Sequence, residues 1–553
     1  MESSRRARRL ARRQRRLRSL RRTLVGGVAV VVVATTAIIV VNRVRTNDPR
    51  VAIRSATRAP NGSAPETTAP TRERPDLNVA KRGAEAVRFE NAKPGSSDWP
   101  IAPALNNGAV TGWADRTSAV TGDQVKLYVS TGDPTFHVEA FRMGYYQGLG
   151  GRLVERTPEI PGGLQAKPTV DPKTNMVETQ WAPTTTVTIG PDWTPGPYLL
   201  KLVSASGQHY IPLTVRNDAS RAAIAIIQAV SNWQAYNDWG GYSLYKGPKG
   251  GSQRAKVVSY DRPYGDDGAG DFLAIEFPLI SFAEELGFDV TYLTSIDLEA
   301  RPDALKNHRV IISPGHDEYW SKTMRAGAEQ ARDAGVNLAF LGSNAVYRRI
   351  RLEPSPIGPF RREVNYRTTS GDPAVKADPT DATTSWREGP AANPENSLVG
   401  NFYECNPVND DGVVSDASSW VFEGTNLSNG DHISLLVGTE YDRVQPGVKG
   451  TPENIQVLMH SPLRCGGKSS FADVSYYTAP SGAGVFASGT NAWICKLRSG
   501  CPADPPGQRD DRIRRITENV LRVFAAGPAG VTHPSRPNYS ELAPPAASKR
   551  TRR

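Results

Sequence analysis

Four short stretches of this 553-residue chain combine the residue types that bind hard metal ions and move protons. The first is Ser231-Asn232-Trp233-Gln234-Ala235-Tyr236-Asn237-Asp238-Trp239-Gly240-Gly241-Tyr242-Ser243-Leu244-Tyr245, followed closely by Tyr260-Asp261-Arg262-Pro263-Tyr264. The second is Pro314-Gly315-His316-Asp317-Glu318-Tyr319-Trp320-Ser321, the third Gly342-Ser343-Asn344-Ala345, and the fourth Val437-Gly438-Thr439-Glu440-Tyr441-Asp442. Phenolate and carboxylate oxygens suit a hard ion such as ferric iron, and a bound trivalent ion lowers a tyrosine far below its free pKa of about 10. A mononuclear, oxygen-ligated metal is therefore one expectation. A histidine and a further carboxylate beside it are the groups that general acid–base catalysis uses. Taken singly, each stretch also reads as ordinary local chemistry: Ser321 as a helix N-cap, Asp238 with Gly240-Gly241 as a turn. Their joint placement carries the functional reading.

That placement comes from the elements between them. Ala222–Val230 is an apolar run broken only by Gln228, as in a strand buried on both faces. Phe272–Leu286 reads as a helix, Phe288–Leu293 and Arg309–Ser313 as strands, Lys322–Ala334 as a helix and Asn337–Leu341 as a strand. Strands alternating with helices predict a parallel α/β sheet, and such sheets bind ligands at the strands' carboxyl ends. The first three stretches follow such ends, and the fourth closes the apolar run Ser434–Val437. Two other chemistries find no support. Gly148-Leu149-Gly150-Gly151 precedes no helix and so is no phosphate loop, and the turn that would hold a Ser or Cys nucleophile reads Pro-Gly-His-Asp-Glu.

Residues 77–218 have a different texture, with short alternating runs at Gln124–Ser130, His137–Arg142, Thr184–Ile189 and Tyr198–Val203 between Gly, Pro and Asp. These predict a β-sandwich domain. Its Phe141-to-Arg152 segment packs four glycines among aromatics and two arginines. It reads as a hairpin or long loop, or as a loop reaching the neighbouring pocket.

The formal charge is +11, but residues 1–22 carry +10, residues 42–75 carry +4 and the last five +4, leaving −7 for the rest. A nucleic-acid groove in the body is not expected. Thr23–Val41 is nineteen uncharged, mostly apolar residues, about 28 Å of helix and enough for a bilayer core. The arginines before it predict a cytoplasmic N-terminus and an extracytoplasmic body at the cell membrane. Arg21-Arg22-Thr23-Leu24-Val25 also loosely matches a twin-arginine export signal. The expected organisation is thus a cytoplasmic segment (1–22), a membrane anchor (23–41), a flexible linker (42–76), the sandwich (77–218), the α/β domain (219–526) and a disordered basic tail (527–553). All four cysteines, Cys405, Cys465, Cys495 and Cys501, lie in the exported part, which predicts two disulfides. Four cysteines allow three connectivities, of which the easy local pair Cys495–Cys501, with Cys405–Cys465 following, is one. A zinc site lacks the usual Cys and His spacing.

Read together, Trp233-Gln-Ala-Tyr-Asn-x-Trp-Gly-Gly-x-Ser-Leu-Tyr, Asp261-Arg-Pro-Tyr, Ser313-Pro-Gly-His-Asp-Glu-Tyr-Trp-Ser, Gly342-Ser-Asn and Gly438-x-Glu-x-Asp resemble the C-terminal domain of the large (β) subunit of N,N-dimethylformamidase. The Phe141-Arg-Met-Gly-Tyr-Tyr-x-Gly-x-Gly-Gly-Arg element is similar to one in that family. The resemblance implies a fold similar to class I glutamine amidotransferases and one iron (Fe3+) held by two tyrosines and a glutamate. It implies hydrolysis of a non-peptide amide C–N bond, of a small molecule or an envelope component. By motif, Glu318 is the metal glutamate, and His316, Asn344 and Glu440 are catalytic, with Asn344 donating to the oxyanion or orienting the substrate. Tyr236 and Tyr264 are the expected metal tyrosines, with Tyr242, Tyr245 and Tyr260 competing. A homo-oligomer is compatible with the sequence. The competing class is a non-catalytic module that holds envelope glycan on aromatics such as Trp233, Trp239 and Trp320.

Overall fold

Alternation of apolar and polar residues builds the first layer pair. In Gln124–Thr131, Val125, Leu127 and Val129 are buried while Gln124 and Lys126 face solvent. This strand pairs with Val110–Ala114 and Thr185–Thr188 in a three-stranded antiparallel sheet. A second sheet centres on Gly196–Ser204, flanked by Gln208–Val215 and Thr135–Met143. Val110, Leu127 and Val187 from one sheet and Phe136, Leu200 and Leu213 from the other share one core, so the expected sandwich is present. The structure, a computed structural model, describes residues 83–501 and 508–542. The expected membrane helix at 23–41 lies outside them, as do 1–22 and the linker. Among the described residues no helix is long and apolar enough to cross a membrane.

The second part is a seven-stranded mixed sheet in the order Val290–Thr294, Ile224–Gln228, Val310–Pro314, Asn337–Leu341, Gly484–Ala487, Lys468–Thr478, Gln456–Cys465. The first five are mutually parallel, Lys468–Thr478 runs antiparallel to them, and Gln456–Cys465 pairs antiparallel with Lys468–Thr478. The parallel strands are apolar and buried along their lengths, as expected of a sheet covered on both faces. From Ile224–Gln228 the chain first runs to one neighbour, Val290–Thr294, and then to the other, Val310–Pro314. The gap between Ile224–Gln228 and Val310–Pro314 is thus a topological switch point, where open α/β sheets place ligands.

Two expectations need correction. The helix predicted over Phe272–Leu286 is two helices, Gly270–Ile275 and Phe277–Glu285. Pro278 has no N–H to offer Ala274, and Glu276 leaves helical geometry to accept hydrogen bonds from Ala229 N (2.9 Å) and Trp233 Nε1 (2.8 Å). The basic tail expected from 527 is not free of the fold as far as 542. Asn538 bonds both backbone groups of Val457, Tyr476 donates to His533 O (2.7 Å), and Tyr539 meets the His460 ring edge-on.

The two parts are locked together, and the described residues form one compact unit. The glycine-rich hairpin after Thr135–Met143 reaches the α/β part, though not its pocket. Fully buried Arg142 pairs with Glu284 at 2.7 Å, and Glu284 also accepts from Tyr292 and Asn91. The disulfides are Cys405–Cys465 and Cys495–Cys501.

Candidate active site

Three adjacent strand ends converge. Val230–Tyr236 forms a helical turn after Ile224–Gln228 and ends on Tyr236. After Val310–Pro314 the chain turns through Gly315 at φ +57°, a left-handed conformation suited to glycine, and presents His316, Asp317 and Glu318. The loop after Asn337–Leu341 packs against that turn so closely that a Cβ on Gly342 would lie 1.4 Å from Gly315 O. Asn344 then adopts φ +59°, a region asparagine tolerates, and its N–H donates to Asp442 Oδ1 at 2.8 Å. Ser321 caps Lys322–Asp333 as expected.

Glu440 comes from the strand His432–Arg443, paired with Phe402–Val413 outside the main sheet. The segment after Gly484–Ala487 ties it down: Gly438 N–H donates to Thr490 Oγ1 (3.0 Å) and Asp442 N–H to Gly489 O (2.9 Å).

The result is two contiguous clusters. In the first, the Tyr236 hydroxyl lies 2.8 Å from the Tyr245 hydroxyl and 3.1 Å from Glu318 Oε2, and Tyr245 also donates to Glu318. Arg348 Nε donates to Glu318 Oε1 at 3.3 Å, and Arg367 lies over the Tyr245 ring at 4.3 Å. In the second, His316 Nε2 is 3.2 Å from Glu440 Oε2, and Asn344 Nδ2 donates to the same oxygen at 2.9 Å. Asn406 Nδ2 donates to Glu440 Oε1 at 2.6 Å. His316 Nε2 stands 3.9 Å from Glu318 Oε2 and joins the two clusters.

Tyr264 is not part of the first cluster. It packs edge-on to Trp233, ring centroids 6.3 Å apart, and none of the described hydrogen bonds links it to Glu318. Tyr260 donates to Glu363 at 3.1 Å, and Tyr242 packs on the small core around Leu244. Tyr245 reaches Glu318 because its loop folds back: Leu244 N–H donates to Ala235 O, Ala255 N–H donates to Ser243 O, and Leu244 is buried beside Ala235 and Tyr319. Asn406 is a member of the site that sequence reading missed. It sits in the largely polar strand Phe402–Val413 with no motif around it. Of the aromatics considered for glycan, Trp320 is buried in the core and offers no face to a ligand.

Electrostatics separates the clusters. Burial and the charge of Glu318 push the Tyr236 and Tyr245 hydroxyls well above their ordinary values, so both are neutral phenols without a cation beside them. Burial alone would depress His316, but the Glu440 carboxylate, with Glu318 and Asp271 beyond it, raises it to about 9. Burial opposes ionisation of Glu440, yet His316, Asn406 and Asn344 hold it below the usual carboxylate range. The second cluster is therefore an imidazolium–carboxylate pair near neutral pH. No group of three or more His, Cys, Asp or Glu among the described residues is arranged to hold a metal. The Tyr236–Tyr245–Glu318 set is of another kind, three hard oxygen ligands already within hydrogen-bond distance of one another. Metal–oxygen bonds of about 2.0–2.2 Å require such convergence, and a cation there would relieve the cost of ionising the phenols. The residues fit an oxygen-ligated ion.

The architecture is that of a β-sandwich joined to an α/β sheet, with a polar site at the strands' carboxyl ends. Residues 137–505 match the family described as N,N-dimethylformamidase beta subunit-like, C-terminal, and the chain belongs to that family. It is similar to the N,N-dimethylformamidase beta subunit of Alcaligenes sp., 22% identical over 46% of this chain and 37% of that protein. The chain thus matches little more than a third of that relative's length. Among solved structures, Cwp6 from Clostridium difficile aligns over 43% of this chain and 37% of its own, with 13% identity and a TM-score of 0.14, too low to bear on fold or function.

Proposed function

We propose that this chain is a hydrolase of non-peptide amide C–N bonds that uses iron held by Tyr236, Tyr245 and Glu318. The observation that carries the reading is the His316–Glu440–Asn344 cluster standing 3.9 Å from Glu318, a proton-transfer pair against an oxygen-donor set. Tyr245 takes the place that sequence reasoning gave to Tyr264, because it is Tyr245 that bonds Glu318. Bound iron supplies Lewis-acid polarisation of a carbonyl and a lower pKa for water.

The protein groups divide the proton work. Glu440, held ionised, accepts a proton from the attacking water at Oε2. His316, protonated near neutral pH, donates from Nε2 to the departing amine. One hydrogen of Asn344 Nδ2 goes to Glu440 Oε2, and Nδ2 also stands 3.3 Å from His316 Nε2, so Asn344 orients the proton-transfer pair. The opposite amide orientation would set its Oδ1 against a carboxylate oxygen, two acceptors in contact. Asn406 fixes the other Glu440 oxygen. The nineteen-residue apolar run Thr23–Val41, with the arginines before it, supports a reading in which this chemistry lies on the outer side of a cell membrane.

The test is amine release from short N-alkyl formamides and acetamides by the purified, iron(III)-loaded chain. Glu440→Gln should lower kcat by about 10²–10⁴-fold. Amide turnover that is unchanged in Glu440→Gln, or absent for every amide offered to iron-loaded protein, overturns the reading.

A further inference from the structure

Beside the candidate site lies a cavity of about 120 Å³, room for about four water-sized groups, that the proton and metal chemistry does not use. It is lined by the aromatic residues Trp233, Tyr236, Tyr264 and Phe272 and by three aspartates, Asp238, Asp266 and Asp271. Tyr236 belongs to both places: its ring lines the cavity while its hydroxyl bonds Glu318. Asp271 also acts electrostatically on His316. The cavity therefore adjoins the candidate site through Tyr236.

Its walls are fixed. Trp233 Nε1 is held by Glu276, Gly265 N–H donates to Asn237 Oδ1 (3.0 Å), and the sandwich strand Gln208–Val215 grips the far loop through Tyr210 N–H to Asp267 O (2.8 Å). No lysine or arginine lines it. Of the cations nearby, Lys246 pairs at 2.5 Å with Asp238, itself a lining residue, Arg262 donates to the Asn237, Trp239 and Tyr242 carbonyls, Arg361 pairs with Asp261 at 2.7 Å, and His316, which acts electrostatically on Asp271, pairs with Glu440. None of the described hydrogen bonds engages the Asp271 carboxylate. Four aromatic residues and two carboxylates, Asp266 and Asp271, that none of the described ion pairs engages suit an alkylammonium group, through cation–π attraction and charge. A neutral dialkylamide would gain only the apolar contacts.

We propose that this cavity binds the ammonium group of the substrate, so that the amide cleaved belongs to a molecule carrying a second, positively charged amino group a few bonds away. This rests on the reading of the neighbouring site as amide-hydrolysing. The binding part is testable without turnover. The probe is n-butylammonium, with n-butanol as the neutral comparison, titrated calorimetrically into the full-length chain. Binding at least tenfold tighter for n-butylammonium is expected. Asp271→Asn should remove that preference, as should Asp266→Asn in part, while Glu440→Gln should keep it. Equal binding of the two probes, or a preference that survives both aspartate substitutions, overturns the proposal. In turnover, the monoacetyl derivative of 1,4-diaminobutane should exceed N-butylacetamide at least tenfold in kcat/KM, mostly through KM. If neither amide is cleaved yet n-butylammonium is selected, hydrolysis fails and the cation site stands. If both are cleaved equally and n-butylammonium is not selected, the cation site fails and hydrolysis stands.

Discussion

The hydroxyl oxygens of Tyr236 and Tyr245 lie 2.8 Å apart, and both bond the same carboxylate, Glu318. Two phenols cannot ionise together at that distance unless a cation stands between them and the carboxylate. Iron(III)-loaded protein should therefore show a visible tyrosinate-to-iron absorption band. Tyr245→Phe and Tyr236→Phe should each weaken or shift it, Glu318→Ala should abolish it, and Tyr264→Phe should leave it intact. A band that survives Tyr245→Phe but not Tyr264→Phe would reverse the assignment of the second tyrosine.

The imidazolium–carboxylate pair sets a pH signature in metal-free protein. His316 is raised to about 9, burial opposing and Glu440 favouring its charge. Because the folded pKa exceeds the unfolded value of about 6.5, the stability this pair contributes is full below that pH and is lost as pH rises through about 9. An NMR titration should place the His316 midpoint near 9. Glu440→Gln should move it down by at least one unit, and Asn406→Ala, which frees only one Glu440 oxygen, by less. A midpoint that does not respond to Glu440→Gln refutes the pairing.

His209 should make the fold acid-sensitive. It is buried where the sandwich meets the loop at Gly268, its Nε2 is without a hydrogen-bond partner, and burial lowers its pKa to about 4. Its folded pKa lies below the unfolded value, so its stabilising effect is present above pH 6.5 and is lost as pH falls through about 4. The loss amounts to roughly 3 kcal/mol. His209→Gln should flatten the decline in thermal stability between pH 6.5 and 4, and an unchanged slope would remove His209 as its cause.

Arg142 and Glu284 join the sandwich to the α/β part through a buried pair at 2.7 Å. Arg142→Met leaves the Glu284 carboxylate without its charged partner and should cost about 3–5 kcal/mol in denaturant unfolding. The double variant Arg142→Met with Glu284→Gln should recover part of that loss. Full additivity of the two losses would show that the pair is not coupled.

Most of what local pattern can encode was legible in the chain. The strand Asn337–Leu341 has the bounds the apolar run predicts, and Val310–Pro314 and Lys322–Asp333 differ by one residue at an end or two. Alternation marked the sandwich, and the spacing of four cysteines marked both disulfides. Motifs at the ends of adjacent strands also placed Tyr236, His316, Glu318 and Asn344 on one rim, because neighbouring parallel strands must end side by side. Tertiary structure alone decided the rest. Tyr245, not Tyr264, meets Glu318 because Leu244 folds the loop back onto Ala235, a contact that spacing does not encode. Asn406 reaches Glu440 across a strand pairing whose register bulges between Tyr403 and Val408. Glu276 breaks a helix of otherwise good periodicity because its carboxylate bonds Ala229 and Trp233, 47 and 43 residues earlier in the chain. Periodicity reports which face of an element is buried. Which side chain closes a site depends on loop closure and on long-range hydrogen bonds that only the folded chain makes.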